Sequence, residues 1–187
     1  MKHIMKKKRI VVLIAVFLIC VVGFIIWRLQ KEKQLNYLEA LEIQSFSLTF
    51  GTNGISSYDS STGTLIKTTD ATYPEDYITT MFFDETKWKE IVNLLKELDI
   101  QDYPEDYDPI NSPYSLMKKA SSPSMTLSLT VSTKEWTKTV TCNDMAYSWE
   151  GYNKKSQKFL DTCKKLQAMI LSTKEWTALP EYEFFYE

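Results

Sequence analysis

Imidazole is nearly missing from this sequence: His3 is its only histidine. Beyond that position the chain cannot build a Ser-His-Asp or Cys-His arrangement, or a histidine-bearing zinc or iron site. Glycine is scarce as well. The five glycines, at positions 23, 51, 54, 63 and 151, never cluster, which excludes a phosphate-cradling loop. Arginine stops at Arg28. Residues 31–187 hold 16 lysines against 24 acidic residues, a net charge of −8. A segment this acidic, without the planar guanidinium fork, is a poor ligand for nucleic acid or anionic lipid. These absences remove most hydrolase and nucleotide-enzyme chemistry. No cofactor is expected.

Charge of the other sign is concentrated at the start. Lys2, Lys6, Lys7, Lys8 and Arg9 precede Ile10–Trp27, an uncharged run of 18 residues. As a helix that run is about 27 Å long, near the hydrocarbon thickness of a bilayer. The denser cationic flank is N-terminal, which predicts that residues 1–9 stay in the cytoplasm and the rest lies outside. Trp27 is placed to anchor the outer interface. No small-x-small site follows the run, so an uncleaved signal anchor is expected rather than a cleaved leader. Cys20 follows Phe17, Leu18 and Ile19, which does not suit lipidation. The predicted organisation is a basic tail at 1–9, a transmembrane helix at 10–27, a helical stalk at 28–41 and an extracytoplasmic domain at 42–187, held at the plasma membrane by a single pass.

The outer segment changes period along its length. Phe46, Leu48 and Phe50 alternate with Ser45, Ser47 and Thr49, a half-buried strand closed by the turn Gly51–Gly54. Residues 55–69 predict one or two short strands broken at Ser60–Gly63, and Tyr77–Phe83 predicts another. Asp84 is placed to cap a helix whose apolar positions are Trp88, Ile91, Val92, Leu94, Leu95 and Leu98. A hairpin follows. Met125, Leu127, Leu129 and Val131 share one face, and Trp136, Val140 and Cys142 answer them after a turn at Thr133–Glu135. The last long helix spans about Asn153 to Leu171, with Phe159, Leu160, Cys163, Leu166, Met169 and Ile170 on its stripe. The expected fold is α+β: an antiparallel sheet with two amphipathic helices on one face, in the order strands, helix, hairpin, helix.

Three features leave alternatives open. Asp99, Asp102, Glu105, Asp106 and Asp108 crowd one loop, readable as a calcium site or as a solvated acidic loop without EF-hand spacing. Cys142 and Cys163 both fall on core faces, readable as a disulfide or as two buried thiols. The aromatics at element ends, among them Tyr58, Tyr103, Tyr107, Tyr114 and Trp176, either contact a partner or close a small core. Tyr147, Trp149 and Tyr152, just before the last helix, are the candidate contact surface. No catalytic or metal-binding residue is assigned. Two strings recur, Tyr-Pro-Glu-Asp-Tyr at 73–77 and 103–107 and Ser-Thr-Lys-Glu-Trp-Thr at 132–137 and 172–177, at offsets that define no structural period.

The element order, with SFSLTFGTNG at 45–54, FFDETKW at 82–88, the Thr-rich hairpin and the closing helix, resembles small membrane-anchored or lipoprotein-type α+β domains of Gram-positive bacteria. The likeness covers about residues 43–171. It implies the architecture and an envelope location and carries over no functional residue. The chain departs from the lipoprotein members in lacking a lipidation site. The function expected is a membrane-tethered extracytoplasmic interaction module that contacts an envelope protein or a wall polymer. The alternative is a surface immunity or inhibitor protein, its acidic charge steering it to a basic toxin or hydrolase. A carboxylate-dependent enzyme ranks third.

Overall fold

The computed structural model describes residues 16–33, 41–51, 55–68, 76–112, 114, 116–122, 124–146 and 150–181. The chain divides into two units, residues 1–41 and 42–187. In the first, residues 16–33 form a helix, α1. Its large apolar side chains, from Val16 to Leu29, are exposed on all sides. Arg28 lies 6.0 Å over the Phe24 ring and Lys31 lies 5.5 Å over Trp27, so the cations fold back along the apolar stem. Among the described residues no helix is long and apolar enough to cross a membrane. The spanning helix expected at 10–27 is thus not shown: residues 10–15 lie outside the described part, and the described part of α1 includes the charged residues Arg28, Lys31, Glu32 and Lys33.

The second unit is α+β. Six antiparallel strands form one sheet: β1 (Ile43–Gly51), β2 (Ile55–Asp59), β3 (Thr64–Thr68), β4 (Asp76–Thr80), β5 (Met125–Thr133) and β6 (Thr137–Met145). Their order is β4-β3-β2-β1-β5-β6. Strand β1 is central because it is apolar on one face over its whole length and pairs on both sides, Leu48 opposite Tyr58 in β2 and opposite Leu129 in β5. The alternation seen in the sequence sets the two faces. Phe46, Leu48, Phe50, Tyr58, Leu65, Leu127, Leu129, Val131, Val140 and Cys142 are buried on one side. Serines and threonines occupy the other and pair across strands, with Thr130 to Thr139 at 2.9 Å and Ser128 to Thr141 at 3.0 Å.

Helices α2 (Glu85–Leu98) and α3 (Lys154–Leu171) pack on each other, and the short α4 (Lys174–Thr177) follows. Trp88 of α2 stacks on Phe46 at 6.2 Å. Asp84 caps α2 as expected, accepting from the Lys87 N–H, and Asn153 caps α3, accepting from the Ser156 N–H. Helix α2 ends at Asp99, which takes the left-handed conformation at φ 53°. One strand is shorter than expected. The run Tyr77–Phe83 stays in the sheet only to Thr80, because the Met81 N–H turns to the Gly63 carbonyl and Phe82 lies against Gly63. Gly63 sits at φ +70°, and a Cβ there would meet the Phe82 ring, so this turn requires glycine.

Candidate functional site

The acidic loop is fastened at both sides. Against β6, the Thr141 N–H donates to the Glu105 carbonyl and the Tyr107 N–H donates to the Thr141 carbonyl, so residues 105–107 cover part of an edge strand. Against α3, the Tyr103 hydroxyl donates to the Lys155 carbonyl, and the Tyr107 hydroxyl bonds Ser156 Oγ at 2.8 Å. Tyr103, Tyr107 and Phe159 form a ring cluster with centroids 5.2–5.5 Å apart. Burial pushes both tyrosine hydroxyls up from their ordinary pKa.

This arrangement disperses the loop's carboxylates. Among the described residues no three acidic, cysteine or histidine side chains converge. Asp108 is occupied elsewhere. Its Oδ1 accepts from the Ile110 and Asn111 N–H groups, and its Oδ2 accepts from Asn111 Nδ2. Asp99 serves as a helix end, and Glu105 faces Lys138 at 3.7 Å.

The loop then projects. Asn111, held by Asp108, closes its base from both directions: Oδ1 accepts from the Lys119 N–H at 2.6 Å, and Nδ2 donates to the Lys119 carbonyl. Between these posts Tyr114 is 91% exposed, Leu116 104% and Met117 85%. Large apolar side chains at full exposure on a closed loop make it the candidate contact surface. Tyr152, 60% exposed, adjoins the base, its N–H donating to the Pro109 carbonyl. Of the expected contact residues, Tyr147 and Trp149 lie outside the described residues, and Tyr152 joins the projecting loop. Leu116 and Met117 are not among the residues that stand out in the sequence. Their signal was two apolar residues between a tyrosine and a lysine pair, with no strand or helix period to bury them.

Other aromatics prove to be core. Tyr58, Tyr103 and Trp176 are buried. The residues at 73, 182 and 184–186 lie outside the described part. Cys142 and Cys163 are free and buried in this structure. Burial first, then Asp108 and Asp106, pushes the Cys142 thiol up to about 12, and burial first, then Cys142, holds Cys163 well above its usual value. Buried, protonated thiols are poor nucleophiles. Under reducing conditions the folded protein should leave both of these thiols unmodified by a thiol reagent. Cys142 and Cys163 should label only at the rate of unfolding, read by mass spectrometry, and rapid labelling of either would contradict the packing described.

The recurring Ser-Thr-Lys-Glu-Trp-Thr string has a local explanation. In both copies the threonine hydroxyl accepts from the N–H of the tryptophan three residues on, Trp136 to Thr133 at 3.1 Å and Trp176 to Thr173 at 3.3 Å. One copy closes the β5–β6 hairpin and the other caps α4.

No protein-family model matches this chain, and no match is found among curated proteins.

Proposed function

We propose that this protein is a membrane-tethered extracytoplasmic interaction module. In this reading residues 10–27 span the plasma membrane with the N-terminus inside, and residues 42–187 meet an envelope partner. The observation that carries it is the projecting loop: Tyr114, Leu116 and Met117 stand exposed on a base locked by Asn111, beside Tyr152. A pre-closed loop loses little conformational freedom on binding, and an exposed aromatic with two flexible apolar neighbours supplies anchor groups. The anchor rests on the uncharged run and its cationic flank.

The test is crosslinking of the full-length protein in its own cells, then affinity purification and mass spectrometry. A recurrent envelope partner is expected. It should be lost when Tyr147, Trp149 and Tyr152 are changed to Ala, and equally when Leu116 and Met117 are changed to Ser. A C-terminal tag should be reached from outside intact cells by a reagent that cannot cross the membrane. A tag shielded in intact cells overturns the topology, and partner capture indifferent to both sets of changes overturns the contact surface.

A further inference from the structure

The acidic average of residues 42–187 hides one basic element. Helix α3 carries Lys154, Lys155, Lys158, Lys164 and Lys165 against a single acid, Asp161, and all five lysines are exposed. Lys155 is held locally, donating to the Asp102 carbonyl and lying over the Tyr103 ring. The other four have no ion-pair partner among the described residues, whereas Lys89, Lys134 and Lys174 elsewhere on the domain are each paired with a glutamate.

Lys154, Lys158 and Lys165 line an open groove between α2 and α3. The groove has two adjoining parts of about 330 and 440 Å³ that share Leu94 and Lys165. Three acids also line it. Of these, Glu90 is paired with Lys87, whereas Glu97 and Asp161, the latter accepting from the neutral Gln157 amide, keep their charge beside the lysines, so the four lysines of the lining exceed its three acids by one. Along the helix axis the three lysines fall at intervals of about 6 and 10 Å. The groove contains no aromatic side chain and no arginine. A protein partner would be expected to need a buried aromatic or apolar anchor, and a single fixed phosphate or carboxylate would be expected to need a guanidinium fork. A row of unpaired, mobile ammonium groups in an open channel fits a flexible chain whose negative charges recur along its length.

We propose that the α2–α3 groove is a track for a linear polyanion, an anionic polymer of the cell wall. The polymer's location rests on the extracytoplasmic reading above, whereas the binding itself does not. The charge segregation gives the domain two separate surfaces, the projecting loop for a partner and the lysine track for the polymer around it.

The experiment uses the full-length protein in zwitterionic nanodiscs, with long-chain inorganic polyphosphate as probe and binding measured over a range of salt. Saturable binding is expected. K154Q/K158Q/K165Q should weaken it more than tenfold and flatten the slope of log affinity against log salt by about 2, as three fewer displaced counterions would. The control K89Q/K134Q/K174Q removes the same charge from paired positions and should change affinity less than twofold. Polygalacturonate at matched charge tells the two sources of negative charge apart: binding as tight as that of polyphosphate extends the track to uronate polymers, and much weaker binding restricts it to polymers that carry phosphate charge. Equal losses in the two triple variants would overturn the proposal, as would no polyphosphate binding. If the tag experiment places the domain inside while the groove binds polyphosphate, the extracytoplasmic reading fails and the track stands. If the domain is outside and polyphosphate does not bind, only the track fails.

Discussion

Raising the pH of the reduced protein above 9 should lower its stability, and the loss should steepen above pH 10. The cause is a group of buried acids that are neutral in the folded chain. Burial pushes Cys142 up to about 12 from 9.0 and Tyr58 up to about 12 from 10.0, and it raises Cys163, Tyr103 and Tyr107 in the same direction. Each is a neutral acid whose folded value exceeds its unfolded one. Below the unfolded value both states hold the proton and stability is intact. Above it the unfolded chain loses the proton and the folded chain keeps it, so stability falls with pH until the folded value is reached. Each group costs about 1.4 kcal/mol for every pH unit in that window. The two thiols act from pH 9 and the three tyrosines join from pH 10, against a total stability of about 5–15 kcal/mol. Urea unfolding between pH 7 and 11 measures this, and a stability flat to pH 11 would show that these groups are not buried as described. Replacing Cys142 and Cys163 by Ala should delay the onset to pH 10. A disulfide between them would also remove the first step and leave the second, so the titration reports the redox state of the pair.

The sheet and helix order was legible because its signals are local. Alternation at 45–50, 125–131 and 136–142 gives strands with one apolar face, and Asp84 and Asn153 sit directly before the helices they cap. What escaped the sequence depends on distant partners. Tyr58 and Tyr103 read as element-end aromatics that either contact a partner or close the core; both are buried, and their hydroxyls find carbonyls at Met81 and Lys155, 23 and 52 residues away. The acidic loop read as solvated or metal-binding, and what decides its form is the Asp106–Thr141 bridge to β6. The candidate surface was half visible. Tyr152 was singled out, but the closure of residues 111–119 by one asparagine side chain leaves no periodic trace.

The two copies of Ser-Thr-Lys-Glu-Trp-Thr offer a controlled comparison, because one tryptophan is buried and the other is not. Trp176 is 6% exposed, with its ring 5.9 Å from Phe50 and Lys67 Nζ 4.9 Å above it. Lys67 is itself buried, and it donates to the Leu179 carbonyl at 3.4 Å. Desolvation lowers its pKa, opposed by the charge of Glu181. Trp176 thus fills the end of the core and also provides a ring face for a desolvated ammonium. Changing Trp176 to Ala should cost about 3–5 kcal/mol, the range for a large aromatic deleted from a core, with the loss of the cation's ring acting in the same direction. Trp136 is only half-buried beside the hairpin turn, and Trp136→Ala should cost about 1 kcal/mol or less. Chemical denaturation of the two variants separates the effects of string and setting. Equal losses would mean that the shared Thr–Trp hydrogen bond dominates and burial does not. A large loss at 176 alone would show that the tertiary setting decides what each copy contributes. Lys67→Met in the Trp176→Ala background then isolates the cation: recovery of part of the lost stability is expected, because an apolar side chain in that place no longer needs the ring.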